Sequence, residues 1–156
     1  LALFTEAHIG PEDAQATWFT DNEPDSGFLG SIRGLSAEEA AVVPFAGADC
    51  IAAHCKHVAY YVSLVNRLSR GEHGFAAADW PASWEVGTVD DASWAALLEE
   101  LERQVKELQT TVEQNPPDFS DPNFLRGAVA LVAHGAWHVG AGRQLIGMIR
   151  ASREGS

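Results

Sequence analysis

Residues 94–112 constrain the fold more than any other part of this chain. Trp94, Leu97, Leu98, Leu101, Val105, Leu108 and Val112 follow one another mostly at intervals of three and four. That spacing returns side chains to one face of an α-helix, which turns about 100° per residue. A strand, with its period of two, would scatter them over both faces. Asp90 or Asp91 offers a capping oxygen at the start, and Pro116 and Pro117 stop the helix after about Asn115.

Two more long helices can be read from similar punctuation. One runs from about Asp49 to Arg70, with Asp49 as its cap and Gly71 after its end. The other takes Asp121 as cap and Pro122 as its first residue, and continues to about Ala151. Arg143, Arg150 and Arg153 lie towards its C-terminal end, where positive charge suits the helix dipole. The N-terminal part is more diffuse. It holds a helical stretch from Leu3 to Ile9, a polar run broken by proline, FLGSIRGL at 28–35, and SAEEA at 36–40. Ser36 followed by Glu39 is a capping-box pair. Residues 71–89, GEHGFAAADWPASWEVGTV, read as one long loop carrying Trp80 and Trp84. No segment alternates as a strand does. The expectation is an all-α, up-and-down four-helix bundle, a single domain over residues 1–156 with 1–27 as an irregular N-terminal segment.

The formal charge of −12, with Lys56 and Lys106 as the only lysines, opposes phosphate backbones and anionic lipid. Nucleic acid and membranes are therefore not expected partners. Cys50 and Cys55 are five residues apart in one predicted helix and point in different directions, so they are expected to be reduced, as in a cytoplasmic protein. The opening LALF is too short for a signal-peptide core, and no apolar run approaches about 18 residues.

The chemistry lies in LVAHGAWHVGAGRQL, residues 131–145. His134 and His138 are four residues apart, so their rings sit about 40° apart on one helix face. Gly127, Ala130, Leu131, Ala141 and Leu145 share that face, which makes it an inward one. On the helix of residues 49–70, His57 is centred among Ala53, Tyr61, Leu64 and Leu68, with His54 at the edge of the stripe. Buried imidazoles need partners, and three of them converging suit a divalent metal with one position left open. Zinc, nickel and iron all take imidazole nitrogen. Several other chemistries lack their residues. Residue 135 is Gly, so HExxH is absent, no histidine has Glu three residues before it, and no GxSxG occurs. Tyr60 or Tyr61 is a candidate hydrogen-bond donor behind the ligands, and Trp80 and Trp84 are candidates to cover the mouth. His8 and His73, in polar surroundings, are expected in solvent.

One His in the second main helix, then HxxxH in the fourth, in a chain of this length, resembles the DinB/YfiT-like superfamily. IAAHCKHVAYYVSLVNRLSRGE at 51–72 looks like that family's second helix and its exit, and ADWPASW at 78–84 followed by DDASW looks like the loop and third-helix start of one branch. The resemblance runs from about Phe28 onward. It implies a metal held by His57, His134 and His138, with His54 as the competing choice, and zinc or nickel as the expected ion, iron being a third option. It also implies a metal-dependent enzyme, an S-transferase or hydrolase activating a low-molecular-weight thiol or water, and a homodimer. The alternative is a metal-binding or small-ligand-binding bundle without catalysis. Several branches of the family carry an acidic or amide side chain just after the last histidine. Here Ala141 and Gly142 stand in that stretch, with Gln144 as a turned-away remnant.

Overall fold

The computed structural model describes residues 1–11, 17–116, 118 and 120–154. Seven α-helices and one 3-10 turn occur among them, and no strand. The helices are α1 (Ala2–His8), α2 (Phe28–Ile32), α3 (Ala37–Ala40), α4 (Ile51–Ser69), α5 (Trp80–Trp84), α6 (Asp91–Gln114) and α7 (Pro122–Glu154). The predicted all-helical class holds, and two short helices add to it where only loop or irregular chain was expected.

Local chemistry sets most of the boundaries. Asp90 accepts from the backbone N–H of Ser93 while Ser93 Oγ accepts from the N–H of Asp90, a reciprocal cap that starts α6. Ser36 and Glu39 do the same for α3. Asp121 accepts from the N–H of Asn123 at 2.9 Å, at the head of α7. α6 ends one residue before Asn115, as the prolines require, although Pro117 lies outside the described residues. The expected Asp49 cap is corrected: α4 starts one residue later, at an extended Cys50, with no side-chain cap bond. Gly71 takes φ +81°, the left-handed backbone that lets the chain leave α4. Residues 71–89 are not one loop, because Gly74–Ala77 forms the 3-10 turn and Asp79 caps α5 by accepting from the N–H of Ala82.

α4 is central. It packs most extensively on α6 and also touches α3, α5 and α7, while α1 and α2 lie against α7. Ile51, Val58, Val62, Leu101 and Val105 are buried where α4 meets α6, and Phe28, Ile32, Val139, Ile146 and Ile149 extend the same core. Two buried side chains of this core make hydrogen bonds across it. Trp94 Nε1 donates to Leu35 O at 2.9 Å, and Asn66 Nδ2 donates to Gln104 O and Oε1 at 2.9 and 2.7 Å. Both cysteines are free and buried, as expected.

α7 departs from its predicted stripe. Its buried residues begin at Gly135, whereas Gly127 and Ala130, assigned to the inward face, are exposed. Residues 121–127 and 129–130 are all exposed, so periodicity there does not translate into burial. Leu125, Val129, Trp137 and Met148 are large apolar side chains exposed on this helix.

Candidate metal centre

Two helices supply the histidines of the cluster. α4 brings His54 and His57, both buried, and α7 brings His138, fully buried, and His134, half-buried. The ring nitrogens converge. His57 Nε2 and His134 Nε2 are 3.1 Å apart, and His134 Nε2 and His138 Nε2 are 3.3 Å apart. One ligand atom from each of the three lies within 4.8 Å of the others, close enough to bind one metal ion. Nitrogens about 2.0–2.1 Å from a tetrahedral zinc are about 3.3 Å from one another. The spacings of His134 to His57 and to His138 match that requirement.

The opposite nitrogens decide whether the Nε2 atoms are free to bind. His57 Nδ1 is 2.8 Å from Ser83 Oγ, and that hydroxyl donates its single proton to Trp80 O at 2.6 Å. Ser83 must therefore accept from His57, which fixes the proton on Nδ1 and leaves Nε2 as a bare lone pair. His138 Nδ1 is 3.0 Å from His54 Nδ1, so His54 sits behind the cluster on the outer nitrogen of His138. His134 Nδ1 is buried and has no hydrogen-bond partner among the described residues.

Aromatic rings wall the cluster. Trp84 stacks on His57 with centroids 4.0 Å apart, and Tyr61 stacks on His134 at the same distance. Trp137 meets His138 edge-on at 4.6 Å, and Phe28 meets it at 5.7 Å. Tyr61 thus acts through its ring face. Tyr60 works elsewhere, its hydroxyl accepting from the N–H of Asp79 at the cap of α5. Lys56 Nζ donates to Ala82 O at 2.9 Å, tying the other end of α5 to α4. These two bonds hold Ser83 and Trp84 against His57. Trp80 is farther from His57, at 6.1 Å between centroids.

Burial pushes all these imidazoles towards the neutral form that a metal requires. Desolvation, helped by the neighbouring histidines, brings His57 and His134 down to about 4 and His138 lower still. His54 is lowered by desolvation against an opposing pull from Asp49. Burial pushes the Cys55 thiol well up, so it is no thiolate nucleophile at neutral pH.

His8 corrects the sequence reading. It is 1% exposed rather than solvated, because α1 folds against α7. Its Nδ1 donates to Phe4 O at 2.9 Å, its Nε2 is buried without a partner among the described residues, and desolvation lowers its pKa to about 4. The sequence held no sign of this, since α1 is short and the chain that returns it to the bundle has no periodic pattern. His73 is exposed, as expected. Ala141 and Gly142 leave the stretch after His138 without a polar group. Gln144 is exposed and lines a shallow apolar groove with Phe45, Asp49, His54, Trp137 and Met148, which none of His57, His134 and His138 lines.

With this geometry in view, the family follows. The family model of the DinB superfamily matches residues 26–141, so the chain belongs to that superfamily. The match spans α2 to the middle of α7 and includes His57, His134 and His138. No curated protein and no solved structure matches the chain.

Proposed function

We propose that His57, His134 and His138 hold one divalent metal ion through their Nε2 atoms, and that the chain is a metal-dependent enzyme acting with a small thiol or water. The observation that carries this reading is the convergence of three Nε2 atoms at 3.1 and 3.3 Å, with His57 Nδ1 already committed to Ser83. Without a cation, bare lone pairs at such distances repel. With one, they form a three-nitrogen set with a remaining position for an exogenous ligand. Zinc or nickel suits this donor set best, and iron is compatible with it. A divalent ion supplies Lewis acidity that lowers the pKa of a bound thiol or water.

The protein's own contribution is positioning and desolvation. Ser83 orients His57, His54 orients His138, and the rings of Trp84, Tyr61 and Phe28 limit water around the cluster. The groove lined by Trp137, Gln144 and Met148 opens beside His54 and presents an apolar surface to a small substrate. The same reading takes α1, α4, α6 and α7 as an up-and-down bundle forming one domain. No helix among the described residues is long and apolar enough to cross a membrane.

Among the described residues no carboxylate joins the three-histidine cluster, which favours a second reading, a metal-binding bundle without turnover. Metal analysis and turnover assays separate the two. The protein is expected to bind about one equivalent of zinc or nickel, and His134→Ala and His138→Ala to abolish stoichiometric binding. Absence of binding by the parent protein would overturn both readings. Tight binding with no conversion of electrophiles by low-molecular-weight thiols, and no hydrolysis, would leave the second.

A further inference from the structure

Two of the outer nitrogens in the histidine cluster have partners on other elements, and the third does not. His57 Nδ1 meets Ser83 of α5 and His138 Nδ1 meets His54 of α4, but His134 Nδ1 is buried and meets no hydrogen-bonding group among the described residues. A ligating imidazole donates its outer N–H to an acceptor, and an unmet buried N–H costs about 1–3 kcal/mol.

An acceptor is buried nearby with no donor. His8 gives its Nδ1 proton to Phe4 O, so the Nε2 of the neutral ring is a lone pair. That atom is buried and has no partner among the described residues. The ring edge that carries it lies over Gly135, the residue after His134. A Cβ built on Gly135 would stand 2.6 Å from His8 Cε1 and 3.1 Å from His8 Nε2. Glycine at 135 is thus the condition for the His8 ring to approach α7 at this level.

α1 is held there by its own bonds. One oxygen of the Glu6 carboxylate accepts from the N–H groups of Trp18, Phe19 and Thr20 at 2.7, 2.9 and 3.1 Å. Gln109 Nε2 donates to Thr5 Oγ1 at 2.9 Å, fastening α1 to α6. The donor lacking an acceptor and the acceptor lacking a donor therefore flank the same turn of α7, in a place fixed from two sides.

We propose that His8 is a positioning residue for His134, its Nε2 accepting the Nδ1–H of His134 through one bound water. A buried water with strong polar partners is an ordinary structural component, and bridging through it retains most of the value of a direct bond. His8 thereby fixes the tautomer that frees His134 Nε2, as Ser83 does for His57. This rests on the metal reading, because a metal on Nε2 is what puts the His134 proton on Nδ1. His8 lies outside the residues matched by the family model, so the device belongs to this chain's own N-terminal helix.

Two near-isosteric variants separate positioning from packing. In His8→Gln the side-chain amide reaches the Nε2 position and loses the bond to Phe4. In His8→Asn the amide reaches the Nδ1 position, keeps the bond to Phe4 and loses the group facing α7. Zinc affinity, read by competition with a chromophoric chelator, is expected to stay within about threefold of the parent in His8→Gln and to fall about tenfold in His8→Asn. Stability in urea should follow the opposite order. Equal zinc affinities in the two variants, or the reverse order, would overturn the proposal.

Nitrogen-15 NMR tests the geometry separately. His8 is expected in the Nδ1–H tautomer in the metal-free parent. In the zinc-loaded parent His134 is expected in the same tautomer, its Nδ1 proton protected from exchange there and in zinc-loaded His8→Gln but not in His8→Asn. An Nε2–H tautomer at His8, or a freely exchanging His134 Nδ1 proton in the zinc-loaded parent, would overturn the role of His8 and leave the metal reading standing, whereas a parent protein that binds no zinc would overturn both.

Discussion

Replacing Ser83 by alanine should weaken metal binding far more than it weakens the fold. Ser83 is 2% exposed and joins His57 Nδ1 to Trp80 O at 2.8 and 2.6 Å. In the metal-free variant His57 has an escape. It can move its proton to Nε2 and donate to His134 Nε2, which is 3.1 Å away. The zinc-free protein should therefore lose no more than about 1 kcal/mol, the net worth of an ordinary hydrogen bond. The metal-bound form has no such escape, because the ion needs Nε2 bare and keeps the proton on an Nδ1 that now faces a methyl group. A buried unsatisfied N–H costs about 1–3 kcal/mol, which at about 1.4 kcal/mol per decade is a loss of roughly 5- to 150-fold in affinity. Chelator competition gives the affinity, and urea titration of the metal-free protein gives the stability. Zinc affinity within about twofold of the parent would refute the argument. So would a loss of metal-free stability as large as the loss of binding energy, because Ser83 would then be packing and nothing more.

Acid should destabilise the metal-free protein between about pH 6.5 and 4. Burial lowers His8 from 6.5 to about 4, so the unfolded chain takes up the proton first; stability is full above 6.5 and falls with pH, by about 3 kcal/mol for this one residue. An unchanged urea midpoint between pH 7.5 and 4.5 would contradict this. Leu101→Ala removes a fully buried side chain at the α4–α6 contact and should cost about 2–5 kcal/mol in the same titration, with a loss below 1 kcal/mol counting against the packing described. Glu6→Ala strips three backbone N–H groups of their shared acceptor. Burial alone would raise the Glu6 pKa, but the bonds from Phe19, Trp18 and Thr20 outweigh it and lower it. The variant should lose about 2 kcal/mol and show faster amide exchange at residues 18–20, and unchanged exchange there would exclude the anchoring role.

The long helices were legible because their signals are local. Asp90 with Ser93, Asp121 with Pro122, and the spacing of Trp94 to Val112 each act within a few residues, and α6 and α7 start where those signals put them. The Asp49 cap misled because a capping residue type was present one position too early, and only backbone geometry decides which residue turns the corner. The inward face of α7 was legible over Leu145 and His138 but not over Gly127 and Ala130. Periodicity reports which residues share a face, whereas burial also needs another element to cover it.

The site divides along the same line. His57, His134 and His138 could be grouped from the sequence because each occupies the centre of an apolar stripe on a regular helix, and α4 packs on α7. Choosing His57 over His54 needed more than a wheel, since both rings are buried and close to His138. What separates them is that His57 turns Nε2 to the cluster and Nδ1 to Ser83, while His54 offers Nδ1 to the back of His138. The supporting groups were out of reach for a physical reason. Ser83 lies on a five-residue helix inside an expected loop, and His8 on a seven-residue helix at the start of the chain. Neither helix is long enough to carry a hydrophobic period, so tertiary contacts place them: Tyr60 and Lys56 for α5, Glu6 and Gln109 for α1. A regular scaffold thus aims the imidazoles, and irregular segments set their protons. The chemistry of the cluster depends on both, because an Nε2 in the right place with its proton still attached binds no metal.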